Sequence, residues 1–208
     1  MLDRWTMPLT QRPLLRLARA FEGRLSPDQV TLLSFIIGIS ALPLLALGYY
    51  WLALVVIVIN RIGDGLDGAL ARQSGQQSAA GGFLDIGLDF IFYAAIVLGF
   101  GLADPANNAL AAAFLLFAFI GTGTSFLAFA IATQQRDADQ RDKIRPDLPN
   151  KAFYYLEGLT EGTETVVALM VFCLFPHHFA WLASLFALAC LITTVTRLWG
   201  GYRALAYR

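Results

Sequence analysis

The sequence predicts an all-α integral membrane protein, a six-transmembrane-helix bundle with an N-terminal amphipathic interfacial helix. Three observations carry that prediction. Of the 208 residues, 57% are hydrophobic and only 14% charged, against about 25% charged in soluble domains. Six apolar runs each approach the roughly 20 residues that a bilayer core requires. The formal net charge of zero hides an asymmetry, because the basic residues collect at alternate ends of these runs. Nucleic acid is not among the expected partners; membrane lipids are.

Residues 1–28 read as a cytoplasmic amphipathic segment. Over 10–25, Leu14, Leu17, Phe21 and Leu25 line one side, and Arg12, Arg16 and Arg19 another. Pro13 suits an early helix position and Gly23 an exit. A basic helix of this kind lies along an anionic membrane surface; an ordinary packed surface helix is the alternative. No signal-like cleavage site follows the early arginines. Residues 29–202 form the bundle, so that 1–208 is a single membrane domain.

The expected spans are 29–48, 51–73, 82–103, 107–134, 150–175 and 178–202. The first opens after Ser26 and Pro27 and carries Pro43, which predicts a kink. In the fourth, Gly121 and Ser125 have a small-xxx-small spacing that permits close helix packing. The fifth carries Glu157, Glu161 and Glu164 with Thr160, within about 100° of one face. Cys173 and Cys190 lie in apolar runs without metal-type spacing and read as reduced core residues. His177 and His178 sit in a short turn and read as interfacial.

The turns near 48–51, 103–108 and 175–178 hold no Lys or Arg. The N-terminus, the 73–81 turn with Arg72, the 135–151 loop and the C-terminus hold nearly all the basic residues. By the positive-inside rule both termini are cytoplasmic, in an inner membrane.

The stretch 64–89, DGLDGALARQSGQQSAAGGFLDIGLD, organises the chain. At about 100° per residue, Asp64, Asp67, Gly68, Ala71 and Arg72 share an arc of roughly 140°. Gly81, Asp85 and Asp89 share about 80° on a second helix. Two helices joined by a short polar turn, 73–80, therefore face four carboxylates toward each other, about 12 Å in from the cytoplasmic side. Such a cluster is mutually repulsive and costly to desolvate, so something positive must sit in it. All-oxygen ligands favour hard divalent cations such as Mg²⁺, Mn²⁺ or Ca²⁺.

The order D-x-x-D-G-x-x-A-R, eight residues, then G-x-x-x-D-x-x-x-D resembles the signature of the CDP-alcohol phosphotransferase (CDP-alcohol phosphatidyltransferase, class I) family, integral membrane enzymes of phospholipid synthesis. Asp64, Asp67, Gly68, Ala71, Arg72, Gly81, Asp85 and Asp89 fill every defining position. Members often carry Pro-Asn before the first span, where this chain has Pro27 and Asp28. The resemblance implies a CDP-linked donor, usually CDP-diacylglycerol, that loses CMP as an acceptor hydroxyl attacks the β-phosphorus. It also implies a homodimer, and makes Asp89 the candidate general base.

The residues fit that chemistry. Two Mg²⁺ or Mn²⁺ ions on Asp64, Asp67 and Asp85, with Asp89 at the edge, would clamp a pyrophosphate. Gly68 lets a nucleotide approach the backbone, and Arg72 offers a planar fork to phosphate oxygens. Ala71 and Gly81 complete the donor-binding set.

The acceptor is left open. In the loop 134–151, Arg136 and Arg145, with Arg141 and Lys143, suit a phosphorylated acceptor or anionic headgroups, unless the loop is merely solvated. Glu157 and Glu161, about 9 and 15 Å inside a helix beginning near Lys151, suit a polyol or amino alcohol instead. Two rival readings are an intramembrane divalent-cation transporter and a non-catalytic membrane assembly protein. The first gives no task to Gly68, Arg72 or Gly81, and the second has no use for a complete motif.

Overall fold

The computed structural model describes residues 14, 15, 17–20, 24–141 and 160–206, the side chains of 134–141 excepted. Among them the protein is all-helical, as the composition predicts.

Helix α1, Pro27–Ile39, starts where local chemistry demands. The Ser26 hydroxyl accepts from the Gln29 N–H at 3.3 Å, and the Gln29 side chain accepts from the Ser26 N–H at 2.9 Å. This reciprocal cap, with Pro27 in the first turn, satisfies donors that the helix leaves orphaned. Pro43 acts upstream of its own position. It has no N–H and its ring crowds the carbonyl four residues back, which is Ile39, where α1 ends. Ser40 turns the chain, its hydroxyl donating to the Ile37 carbonyl at 2.6 Å, and α2, Ala41–Ala46, follows. The expected kink is therefore a break at Ser40.

Helix α3 runs Tyr50–Ser74 and ends on Gly75, whose φ of 68° is left-handed. Gly75 and Gln76 both donate to the Ala71 carbonyl, a close that glycine makes without a Cβ penalty. Helix α4, Ala79–Ala103, begins after Ser78, whose hydroxyl accepts from the Gly81 N–H at 2.9 Å. The turn expected over 73–80 is thus shorter, 75–78.

Helix α5, Pro105–Arg141, continues past the expected end at 134. Residues 134–141, QQRDADQR, hold good helix formers and no glycine or proline, so nothing stops the helix where the apolar run stops. Arg136 and Arg141 therefore lie on a helix, not in a loop. Lys143 and Arg145 lie outside the described residues. Helix α6, Gly162–Leu174, and α7, Phe179–Ala206, are joined through the 3₁₀ turn Pro176–His178.

Among the described residues, four helical stretches are long and apolar enough to cross a membrane: Pro27–Ala46, Ala79–Ala103, Pro105–Thr133 and Pro176–Ala206. Helix α3 has 25 residues but carries Arg61, Asp64, Asp67 and Arg72. At the fifth expected span the described helix has 13 residues, about 20 Å.

Helix α1 packs against α3 and, less extensively, against α4, and α5 packs along α4 and α7. The core is aromatic. Phe100 stacks on Phe179 at 4.5 Å and on Tyr50 at 5.8 Å, with Phe172 edge-on. The outer surface carries Trp51, Trp181 and Trp199, the apolar exterior that a lipid solvent tolerates. Cys173 and Cys190 are free and buried. Gly121 lies against Thr194 of α7, so the small-residue spacing serves packing within this chain.

A second cluster joins the N-terminal helical residues to α3. Ala18, Leu66, Ala69 and Leu70 are buried, with Leu14 and Leu25 packed on them. Leu17, placed on the apolar face by periodicity, is 40% exposed. The segment thus uses Leu14 and Ala18 against protein; Phe21 lies outside the described residues.

Where α1 meets α3, a Cβ on Gly63 would overlap the Ser34 side chain. Gly63→Ala is expected to destabilise the detergent-solubilised protein by about 1–3 kcal/mol through overpacking. Adding Ser34→Gly should recover part of that loss. Thermal unfolding followed by circular dichroism checks both, and an unchanged midpoint in Gly63→Ala overturns this close contact.

Candidate metal and donor site

Three of the four carboxylates predicted to converge do so. Asp64 and Asp67 on α3 and Asp85 on α4 each offer one oxygen, all within 4.8 Å of one another. Asp67 is buried, its Oδ2 accepting from the Thr31 hydroxyl of α1 at 2.5 Å. Thr31 also donates to the Pro27 carbonyl at 3.1 Å, which ties Asp67 to the first turn of α1. Thr31, Asn60, Arg61 and the four aspartates line one small cavity. Three oxygens converging on such a space, with no nitrogen or sulfur ligand among them, fit a hard divalent cation.

Asp89 has a different partner. Arg61 Nη2 donates to its Oδ1 at 2.6 Å, and Nη1 lies 3.4 Å from Oδ2. The Tyr93 hydroxyl, one turn along α4, donates to the same Oδ2 at 3.0 Å. Arg61 Nη1 also lies 3.5 Å from Asp64 Oδ2, so one guanidinium bridges carboxylates on two helices. Its remaining donors go to Asn60 Oδ1, from Nε at 2.9 Å and Nη2 at 2.7 Å. Asn60 in turn donates to the Ser34 carbonyl at 2.8 Å, and the Phe92 ring lies 4.9 Å beneath the guanidinium carbon. A cation so enclosed has little freedom to leave.

Toward the helix ends, Arg72 is exposed and folds over Gly68, where a Cβ would stand 3.3 Å from its Nη1. Ala71 is half-buried. Gly81, on α4, faces the Asp28 carboxylate, 3.0 Å from where a Cβ would sit. The donor-binding candidates therefore lie on the facing ends of α3 and α4, outward from the carboxylates.

The family model "CDP-alcohol phosphatidyltransferase" matches residues 24–196. The chain belongs to the CDP-alcohol phosphatidyltransferase family. It is 52% identical over 206 residues to the inner membrane protein YnjF of Escherichia coli, covering 99% of this chain and 97% of that one. It is 34% identical over 96 residues to the archaetidylinositol phosphate synthase of Pyrococcus horikoshii, covering 46% and 51%. Two crystal structures of the phosphatidylinositol phosphate synthase of Mycobacterium tuberculosis share the fold. The one with CDP-DAG bound superposes with a TM-score of 0.65 at 24% identity, covering 92% of this chain and 94% of that one. The one with manganese and citrate gives 0.65 at 23%, covering 91% and 88%.

As a CDP-alcohol phosphatidyltransferase the chain is a multi-pass membrane enzyme of phospholipid biosynthesis, a transferase of substituted phosphate groups. The transporter and assembly-protein readings give way to that membership. The family works on a CDP-linked donor and a hydroxyl acceptor, with a divalent cation, and Asp64, Asp67 and Asp85 are the residues here that fit one.

The acceptor candidates fare differently. Glu161 is not 15 Å inside a helix; it is the N-cap of α6, paired with Glu164 in a reciprocal cap. A carboxylate that accepts the first free N–H groups begins a helix well, which is why the apolar periodicity misplaced this start. Glu161 also lies near enough to Arg197 of α7 to interact with it electrostatically. Glu157 and Arg145 lie outside the described residues, as does the Arg136 side chain.

Sequence reasoning missed Arg61, Asn60, Thr31 and Tyr93. Arg61 had a signal, since an arginine inside an apolar run is a functional candidate by default. Thr31 had none, because a threonine in a membrane helix usually bonds its own backbone.

Thr31 orients a metal-ligand candidate from the adjoining helix. Thr31→Val is expected to weaken Mn²⁺ binding about tenfold, whereas Thr31→Ser keeps it. Equal affinities in both variants, by Mn²⁺ titration, overturn that role.

Proposed function

We propose that the chain moves a phosphatidyl group from CDP-diacylglycerol to an acceptor hydroxyl, releasing CMP on the cytoplasmic face of the inner membrane. The observation that carries this is the meeting of Asp64, Asp67 and Asp85 inward of Gly68, Arg72 and Gly81. Such an arrangement seats a lipid-linked pyrophosphate with its nucleotide toward the helix ends. The CDP-DAG bound to the mycobacterial relative and the inner-membrane name of the E. coli relative support the same reading.

The acceptor oxygen attacks the β-phosphorus and its proton passes to Asp89. The bond from that phosphorus to the bridging oxygen breaks, and CMP leaves with the electron pair. Asp89 is suited to the base role because Arg61 and Tyr93 hold its carboxylate in one orientation. Arg72 pairs with pyrophosphate oxygens, and Gly68, Ala71 and Gly81 keep the approach open. A divalent cation bound by Asp64, Asp67 and Asp85 supplies charge neutralisation to the pyrophosphate. On the acceptor side Glu161, which interacts electrostatically with Arg197, is the candidate within the described residues. A carboxylate and a guanidinium together suit a polyol or a zwitterionic amino alcohol. A second copy of the chain completes the expected dimer.

In liposomes containing CDP-diacylglycerol, CMP release is measured against glycerol 3-phosphate, inositol phosphate, amino alcohols and lipid hydroxyls. Release should need Mg²⁺ or Mn²⁺ and stop in excess chelator. Asp89→Asn should lower kcat by about 10²–10⁴ while donor binding persists. Full release in chelator, or wild-type kcat in Asp89→Asn, sinks the corresponding role. Glu161→Gln should raise the KM of the preferred acceptor and leave that of the donor alone.

The basic-residue asymmetry predicts the orientation. A reporter fused at Asn107 should report the periplasm, and one fused after Arg208 the cytoplasm. Either signal reversed overturns the topology.

A further inference from the structure

The predicted pair of divalent ions does not match the charges that meet in the cavity. Four carboxylates line it, but only Asp64, Asp67 and Asp85 converge on a common point. The fourth, Asp89, has one oxygen on Arg61 Nη2 at 2.6 Å and the other shared by Arg61 Nη1 and Tyr93. Arg61 Nη1 reaches Asp64 as well, at 3.5 Å. A second ion bridging Asp64 and Asp89 would have to occupy the place where this guanidinium lies.

We propose that Arg61 stands in for a second cation, so that the donor-free site binds one divalent ion on Asp64, Asp67 and Asp85. This deepens the functional reading and rests on it only in taking those three aspartates as ion ligands. Two further observations favour it. The Arg61 side chain is 14% exposed, so its charge is weakly screened, and a divalent ion beside it meets strong repulsion. Its Nε and Nη2 donate to Asn60 and its face lies on Phe92, so swinging aside breaks several contacts at once.

The site thereby carries a permanent charge where the motif alone called for an exchangeable one. Asp89 is kept out of the ion's ligand set and oriented by Arg61, which makes Arg61 a positioning residue. Arginine suits the task because it holds its proton at any working pH and can fork onto two carboxylates.

The purified wild-type protein, in detergent and without donor, is titrated with Mn²⁺, and free Mn²⁺ is counted by electron paramagnetic resonance. One ion per chain is expected, and Asp85→Asn should weaken its binding at least about tenfold. Asp89→Asn should still bind one ion per chain, more weakly than wild type because Arg61 then lacks its counter-charge. Arg61→Met should bind two ions, and Arg61→Lys, which keeps the charge, one. Two ions or none in the wild type overturns the proposal, as does a single ion in a monodisperse Arg61→Met. If Arg61→Met does not fold, the wild-type count and Asp89→Asn decide. CMP release on the same preparation separates the two claims. An active enzyme with two ions sinks this inference alone, and an inactive protein with one ion sinks the transferase reading alone.

Discussion

The contact on which the site depends is the ion pair of Arg61 with Asp89, extended to Asp64. In a weakly screened interior, removing one partner of such a pair costs about 3–5 kcal/mol, because the other charge is left uncompensated. Arg61 and Asp64 share α3 while Asp89 belongs to α4, so the pair also sets how the two helices face each other. Four carboxylates on adjoining helices would otherwise push them apart. The guanidinium offsets that repulsion by bridging the two helices across the cavity, and α1 packs against both.

The rest of the neighbourhood keeps Arg61 in place. Asn60 presents its carbonyl to Arg61 and its amide to the Ser34 carbonyl, which brings α1 into the same network. Close approach is then required, and small residues allow it. A Cβ on Gly38 would stand 2.6 Å from the Asn60 amide nitrogen, and one on Gly63 would strike Ser34. Thr31, further out on α1, fixes Asp67. One face of α1 thus braces both the fixed cation and the ion-ligand set. The aromatic core around Phe100, Phe172 and Phe179 anchors α4, α6 and α7.

Most of the donor half of the site was legible in the sequence, for a physical reason. Its residues lie on two consecutive helices joined by a tight turn, so helical spacing alone predicts that the four aspartates face one another, and Asp64, Asp67 and Asp85 do share a point. Helix class and position were legible from apolar periodicity, since lipid demands it of every span. Helix ends were less so. Apolarity reports where the membrane is, while a helix stops at a cap or a breaker. The described helix of the fifth span therefore starts at the Glu161 cap, and α5 runs on past Thr133 for want of a stop. What periodicity could not show was partnership across distant segments. Thr31 to Asp67 spans 36 residues and Arg61 to Asp89 spans 28, and neither pair has a spacing that marks it.

The same limit explains why the acceptor half resisted a sequence reading. On the proposed reading, its candidate polar groups come from elements far apart in the chain. Both the Thr160 N–H and its hydroxyl reach the Thr193 oxygen, at 3.1 and 3.0 Å, which fixes the α6 cap to α7. Arg197, one turn further along α7, lies 3.4 Å from the Thr122 carbonyl of α5. Three helices therefore converge where the sequence offers only isolated threonines, a glutamate and an arginine. A donor pocket built from one contiguous motif is constrained as a unit, because each change disturbs the shared ion geometry. A pocket assembled from single residues on three helices can change one at a time while the donor chemistry stays intact. On the proposed reading, that difference lets one reaction serve different acceptor alcohols on the same bundle.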